Sequence, residues 1–405
     1  MQGIFDGIRV LDFSNAVSGP SLTRAMAEMG ADVIKVELPP TGDLARAVPT
    51  IVGGRSGFFV QQNRGKRSLF VDVKAAEGRE LVAELVRHVD VLIENFTPGV
   101  IARLGFDWPT VSAINPRLVM CSISAFGQEG SLREQPGYDA IAMAYSGVMS
   151  MMGDPGATPA LMGLSPGDVL TGAQGLAGVA SALFHRERTG VGQLVEVSLL
   201  DCYMACHELN IEMWSASGGT LQPTRSGSLH PFVPAYGVFR TGDGGDVMIG
   251  VGNDRQWAQL CRAMHHPEWA EDERYATVSD RVARRDAVNG LVAEWAAGRP
   301  SRADALARLE AERVPTAPVL SVAEAAEHPH VRERGTVRTH HDERMGPIDL
   351  PGAPLRFSSF PGQPDLHAAS LGAHNREIVC DLVGWTNERY ERLVERGVLL
   401  ADPAS

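Results

Sequence analysis

The stretch from Gly7 to Glu37 constrains the fold more than any other. Gly7-Ile-Arg-Val-Leu-Asp-Phe13 reads as a short buried strand, and Pro20 opens a helix over Ser21–Met29 from the favoured first helical position. Gly30 ends that helix, and Ala31-Asp-Val-Ile-Lys-Val-Glu37 reads as a second strand. Strand, helix and strand in this order make a right-handed βαβ unit of Rossmann-like type. The alternation continues with a helix over Ala76–His88, a strand over Val89–Glu94, and the turn Asn95–Gly99 leading into a short helix that ends at Leu104. Leu118–Ser124 is a further strand, a long apolar helix runs to about His185, and Gly192–Ser198 is the next strand. Such alternation predicts an α/β fold with a mostly parallel sheet covered on both faces.

Near Thr224 the character changes. Ala235–Arg240 and Val247–Val251 flank the Gly-rich turn Asp243–Asp246, a β-hairpin pattern, and short helices rich in Ala, Glu and Arg follow to about Arg313. The tail reads as Pro/Gly-rich loops from Gly346 to Pro364 and a last amphipathic helix over Asn387–Glu395. The expected organisation is a Rossmann-like large domain over residues 1–200 and a linker over 201–230. A smaller α+β domain over 231–325 follows, then a second linker and C-terminal return over 326–405.

A formal net charge of −12 over 405 residues disfavours nucleic acid and anionic membrane surfaces as partners, while leaving room for a small polyanion held by a few local cations. The N-terminus carries no cationic n-region or apolar h-region, and no apolar run reaches membrane-spanning length, so a cytoplasmic setting is expected. Cys121, Cys202, Cys206, Cys261 and Cys380 are too few and scattered for a disulfide framework or a zinc site. Cys202 and Cys206, four residues apart in an apolar stretch, read as core thiols.

Ligands of open α/β sheets bind beyond the carboxyl ends of the strands. Three loops fall there: Ser14–Pro20, Asn95–Gly99 and Ser124–Gly127. The first lacks G-x-G-x-x-G, so a dinucleotide pyrophosphate is not expected on it. Asn63-Arg-Gly-Lys-Arg-Ser68, with Lys74 beyond it, is either a cationic strip for phosphates or a solvated loop. Asn95 and Phe96 offer an amide and an aromatic face to a purine, with Arg103 a turn later; the plainer reading is a turn-forming Asn and a buried Phe. Asp168, on the loop Gly163-Leu-Ser-Pro-Gly-Asp168 ahead of the long helix, is either an N-cap or a nucleophile attacking an activated acyl group. His230 is a candidate acyl contact or a packed turn histidine, and His340-His341-Asp342-Glu343 reads as surface.

Together these motifs resemble the family III CoA-transferases (CaiB/BaiF), the formyl-CoA transferase and carnitine CoA-transferase group. The resemblance rests on Gly7–Asp12, Gly30–Glu37, Asn63–Ser68, Glu94–Gly99, Gly137-Tyr-Asp139 and Gly167-Asp168, and extends through Arg225–Pro231, Val314–Pro318 and Leu371–His374. It implies a two-domain subunit in an interlocked-ring homodimer, with no permanently bound cofactor and no metal, acting on acyl-CoA and a carboxylic acid. It places the family nucleophile at Asp168, and CoA contacts at Val71, Lys74, Asn95, Phe96, Arg103 and Tyr138, with backbone contacts at Val17 and Ser18. An ionised Asp168 then requires backbone N–H groups from its loop. Oxalate-specific members carry Gln where this chain has Val17, which turns the expectation toward a larger or less polar acyl group, and Leu38 stands where some members have a CoA-contacting Arg. The runner-up activity is the 2-methylacyl-CoA racemase of the same superfamily, whose His-Asp pattern is here Tyr138-Asp139.

Overall fold

The computed structural model describes residues 3–360, 362 and 365–401. They fall into two compact units, the larger drawn from residues 1–146, 163–206 and 329–405 and the smaller from 147–162 and 207–328.

The larger unit opens with β1 (Arg9–Asp12), α1 (Ser18–Glu28) and β2 (Asp32–Glu37), then the short arms β3 (Ile51–Val52) and β4 (Arg55–Ser56), α2 (Gly57–Asn63) and β5 (Lys66–Phe70). It continues through α3 (Ala76–Val86), β6 (Val91–Glu94), α4 (Val100–Leu104), α5 (Trp108–Ile114), β7 (Val119–Ser124), α6 (Asp139–Tyr145), α7 (Pro166–Thr189), β8 (Leu194–Ser198) and α8 (Leu199–Ala205). Six strands form one sheet in the order β5-β2-β1-β6-β7-β8, and every pairing is parallel. From β1 the chain builds outward to β5, then returns to place β6 on the other side of β1. That reversal is the switch point of a doubly wound sheet, where the two connections diverge and leave a crevice.

Alternation along each strand sends side chains to opposite faces. Leu11 and Leu92 join Leu81 and Leu85 of α3 in one core, while Val10 and Val91 join Leu22 and Met26 of α1 and Val179 of α7 in another. Each such buried aliphatic side chain contributes about 1.5–3 kcal/mol, so both faces hold the sheet in place.

α1 begins at Ser18, earlier than the sequence suggests, and Pro20 is its third residue. The first-turn N–H groups of a helix have no intrahelical acceptor, so Pro loses nothing there. The strip Asn63–Ser68 is neither a phosphate loop nor a solvated one. Its second half is strand β5, and Lys66 is buried with Nζ 3.0 Å from the Asp12 carboxylate. Burial pushes the Asp12 carboxyl up, but Lys66 and Lys35 more than offset this and hold it below the usual carboxylate range. Lys35, also buried, pairs with Asp43 at 2.8 Å.

The smaller unit contains α9 (Asn210–Ala216), β9 (Tyr236–Arg240), β10 (Asp246–Gly250), α10 (Asp254–Ala263), α11 (Val278–Ala283), α12 (Arg285–Ala297), α13 (Arg302–Ala311), β11 (Thr316–Pro318) and α14 (Val322–Glu327). The hairpin β9-β10 forms as its pattern predicts, and β11 adds a third antiparallel strand against β10. Trp257, Leu260, Val288 and Leu309 close the core beneath it.

The chain then supplies α15 (Pro329–Glu333), β12 (Val337–Asp342), β13 (Gly346–Pro351) and α16 (Asn387–Glu395) to the larger unit. Residues 346–351, read from sequence as loop, are a strand paired with β12, and Pro364 lies outside the described residues. β12 overturns the surface reading for two of His340–Glu343: His340 and Asp342 are buried, with Asp342 paired to Arg55 at 2.8 Å, while His341 and Glu343 are exposed as read. The last segment seals the sheet edge at β5, where Leu400 N–H donates to Phe70 O at 3.0 Å and Asn375 Oδ1 accepts from Phe70 N–H at 2.9 Å. Covering an edge strand removes a template for unwanted pairing.

Candidate active site

The switch point brings two loops together. Asn15 N–H donates to Asn95 Oδ1 at 2.8 Å, and Asn95 Nδ2 donates to Asn15 O at 2.8 Å and to Ser18 Oγ at 3.1 Å. Buried charges fix the rest of the 14–18 loop. Asp12 accepts from Ser14 N–H at 2.9 Å, Lys35 Nζ donates to Ser14 O at 2.7 Å, and Asp43 accepts from Ala16 N–H at 3.0 Å. Ala16 is thereby held at φ 64°, left-handed backbone that a side-chain-bearing residue adopts only when its surroundings insist.

Asp168 sits at the head of α7, but it is not the N-cap. Ser165 occupies that position, Pro166 is the first helical residue and Asp168 the third. The N–H groups of this first turn are claimed by neighbours: Asp168 N–H donates to Asp139 Oδ1 at 2.9 Å, and Gly167 N–H donates to Tyr203 Oη at 3.1 Å. Tyr203 in turn donates to Asp139 at 2.9 Å, so a buried carboxylate from α6 and a phenol from α8 cap α7 from outside. A Cβ on Gly167 would lie 2.2 Å from the Tyr203 ring, so only glycine permits this approach.

The expectation that backbone N–H groups of its own loop hold Asp168 ionised is therefore not met. Burial and the neighbouring Asp139 carboxylate push the half-buried Asp168 up to about 6, and a hydrogen bond from the Ser18 side chain pulls the other way. α1 and α7 meet closely one turn later, where a Cβ on Gly172 would lie 2.7 Å from Ser18 O.

The other sequence-predicted contacts lie around the same sheet edge to differing degrees. Val17 is the N-cap residue of α1 and Ser18 its buried first residue. Phe96 is partly buried against the core, and the exposed Arg103 places its guanidinium over Gly99. Val71 and the exposed Lys74 follow the carboxyl end of β5, two strands from β1 and so about 10 Å across the sheet. Val71 is fully buried, backbone included, and its N–H donates to Glu37 O at 3.0 Å, so the structure does not present it to a ligand. Tyr138 is the N-cap residue of α6 and is 77% exposed. Asp139 was visible in sequence only as the end of Gly137-Tyr-Asp139, and Tyr203 carried no signal, because its role depends on a contact 64 residues away.

His230 has the packed-turn geometry: Nδ1 accepts from the N–H groups of Phe232 and Val233 at 3.1 and 3.0 Å, and burial lowers its pKa. Cys202 is buried as expected, but Cys206 is exposed at the end of α8 and is no core thiol. Among the described residues, no group of three or more His, Cys, Asp or Glu is placed to hold a metal, and no helix is long and apolar enough to cross a membrane.

A doubly wound sheet with fixed loops at its switch point and a raised-pKa carboxylate at a helix head marks the candidate ligand site of an α/β enzyme. The model of CoA-transferase family III matches residues 5–375, and the chain belongs to that family and is a CoA-transferase. It is 37% identical to an acetyl-CoA:oxalate CoA-transferase of Acetobacter aceti, over 90% of this chain and 93% of that one. It is 36% identical to a succinate–glutarate CoA-transferase of Agrobacterium fabrum, over 93% and 95%. A crystal structure of a CaiB/BaiF family protein from Brucella suis superimposes with a TM-score of 0.82 at 35% identity, covering 94% of this chain and all of the other.

Proposed function

We propose that this chain moves CoA from an acyl-CoA donor to a carboxylic acid acceptor with Asp168 as covalent nucleophile. The carrying observation is the placement of Asp168: a half-buried carboxylate pushed up to about 6, at the head of a helix packed closely against the start of α1 at the switch-point loop. The Asp168 carboxylate attacks the thioester carbonyl; the C–S bond breaks, giving an aspartyl–acyl anhydride and CoA thiolate. The thiolate attacks the aspartyl carbonyl of the anhydride and releases the donor acid as its carboxylate, leaving an aspartyl–CoA thioester. The acceptor carboxylate attacks that thioester, giving a new anhydride and thiolate. Attack of the thiolate on the acceptor's acyl carbon forms the new acyl-CoA and frees Asp168.

On this reading Lys74 and Arg103 supply cationic contacts to CoA, Phe96 and Tyr138 apolar faces, Asn95 the ordered turn, and Val17 and Ser18 backbone groups. Relatives named for oxalate and glutarate bracket the acceptor class, and Val17 favours an acid larger than oxalate. The working form is an interlocked cytoplasmic homodimer, with a large domain over 1–200, a small one over 231–325, and connections over 201–230 and 326–405.

The test is incubation with a panel of acyl-CoA donors, a hydroxylamine quench, and peptide mass spectrometry. A hydroxamate at Asp168, absent in Asp168→Ala although that variant still binds CoA, is the expected outcome. An unmodified Asp168 together with solvent-deuterium exchange at the α-carbon of a 2-methylacyl-CoA would replace this reading with the racemase.

A further inference from the structure

The loop from β1 into α1 takes its shape from side chains brought to it from elsewhere. Lys35 of β2 donates to Ser14 O, Asn95 beyond β6 accepts from Asn15 N–H, and Asp43 accepts from Ala16 N–H at 3.0 Å. Asp43 stands 27 residues from Ala16 and is 1% exposed. Its Oδ1 also accepts from Ala45 N–H at 2.9 Å, capping its own single turn of helix (Leu44–Ala47), and Oδ2 faces Lys35 Nζ at 2.8 Å. A cap needs only the bond to Ala45. The reach to Ala16 serves the loop instead. Ala16 stands at φ 64°, a conformation that an unassisted alanine populates about tenfold less than its ordinary ones. The bend folds Ser14 back on α1, so closely that a Cβ on Gly19 would lie 2.2 Å from Ser14 Cβ.

We propose that Asp43 is a positioning residue for acyl-CoA, holding Ala16 left-handed so that the backbone of Val17 and Ser18 is set at the switch point before the ligand arrives. The proposal rests on the reading above that Val17 and Ser18 offer backbone groups to CoA. Asp43 is itself firmly placed. Its N–H donates to Glu37 Oε1 at 3.1 Å, and Glu37 accepts from Arg46 Nε and Nη2, each at 2.7 Å, and from Ser68 Oγ at 2.6 Å. The bend at Ala16 is therefore referenced to β2 and β5, inside the sheet, and not to solvated chain. A loop set in advance spares the ligand the cost of ordering it. Where the bend is lost, the ligand meets only the fraction of molecules that form it, and the apparent affinity falls by that fraction.

The experiment measures the affinity of the full-length protein for free CoA by isothermal titration calorimetry, with residue 16 followed by NMR of ¹⁵N-alanine-labelled protein. The Ala16 N–H resonance is assigned by its loss in Ala16→Gly. In Asp43→Ala that resonance should move upfield as its carboxylate acceptor is lost, and CoA should bind about tenfold more weakly. Ala16→Gly in the Asp43→Ala background should return the affinity to within about twofold of the native value, since glycine takes positive φ as readily as negative. Both variants lack the Asp43 partner of Lys35, so the recovery comes from residue 16 and not from repair of the buried charge. An unmoved Ala16 resonance overturns the proposal, and so does a loss of affinity that Ala16→Gly fails to recover. A moved resonance with native affinity rejects the CoA contact at Val17 and Ser18, and the positioning role with it. If Asp43→Ala does not fold, Asp43→Ser takes its place: serine still caps Leu44–Ala47, but its hydroxyl is one bond short of the carboxylate oxygen that meets Ala16.

Discussion

Replacing Asp168 with Asn should make the protein more stable at neutral pH and not at acid pH. The Asp168 carboxyl titrates near 6 in the folded chain against an ordinary 3.8. Between those values the folded state binds the proton that the unfolded chain has released. The penalty for an ionised Asp168 is therefore absent below about pH 3.8, grows through the interval, and is complete above about pH 6. The difference of about two pH units corresponds to about 3 kcal/mol at 1.36 kcal/mol per unit. Partial solvent access and the desolvation that a neutral amide still suffers reduce the gain to about 1–2 kcal/mol. In a unit of this size that is a rise in Tm of about 3–6 °C. Asn keeps the shape of the side chain. The assay is thermal melting of both proteins at pH 8 and pH 4, monitored by far-UV circular dichroism. No gain at pH 8, or an equal gain at both pH values, would refute the reasoning, because a titration-linked effect must vanish where the native carboxyl is already protonated.

Two further substitutions test the groups around it. Asp139→Asn keeps an acceptor for both the Asp168 N–H and Tyr203 while removing the like charge. The acid limb of the pH–rate profile should then move down by about one pH unit; a limb that stays or rises contradicts the electrostatic account. Lys66→Met removes the buried cation that Asp12 meets at 3.0 Å while Ser14 and Thr23 still donate to the carboxylate, and should cost about 1.5–3 kcal/mol in urea titrations. The double variant with Asp12→Asn should recover part of that loss, and simple additivity of the two would argue against a coupled pair.

What the sequence disclosed follows the range over which each contact acts. β1, β2, β6 and β7 are legible because each carries a short cluster of Val, Ile, Leu or Met between turn signals, and the β9-β10 hairpin because its turn is spelled out locally. β5 was hidden because its Lys66 and Arg67 look solvated until Asp12 and Asp32 are brought to them from elsewhere in the chain. β12 was hidden the same way by His340, His341 and Asp342. At the site, the strand-end loops and Asp168 could be picked out as candidates. The cap that Asp139 and Tyr203 form on α7 could not, since it joins three helices whose sequences carry no mark of their meeting.

That cap bears on how a carboxylate can serve as nucleophile. At the third position of a 24-residue helix, Asp168 sits where the helix field favours negative charge and where first-turn N–H groups commonly bind a carboxylate. Had the N–H groups of Gly167 and Asp168 turned to Asp168, its basicity would have fallen, and nucleophilicity falls with basicity. Asp139 and Tyr203 take those donors instead, so burial, with the like charge of Asp139 added to it, raises Asp168 to about 6. At pH 7 a group titrating there is about nine-tenths ionised, yet more basic by about two orders of magnitude than an ordinary aspartate. A higher value would leave too little anion at neutral pH, and a lower one would sacrifice reactivity toward the thioester. Lowering the value with Asp139→Asn should therefore slow acylation at pH 7 through reactivity, although the ionised fraction rises. Raising the pH should leave the Asp139 variant slow, because its Asp168 is already ionised and what it has lost is basicity.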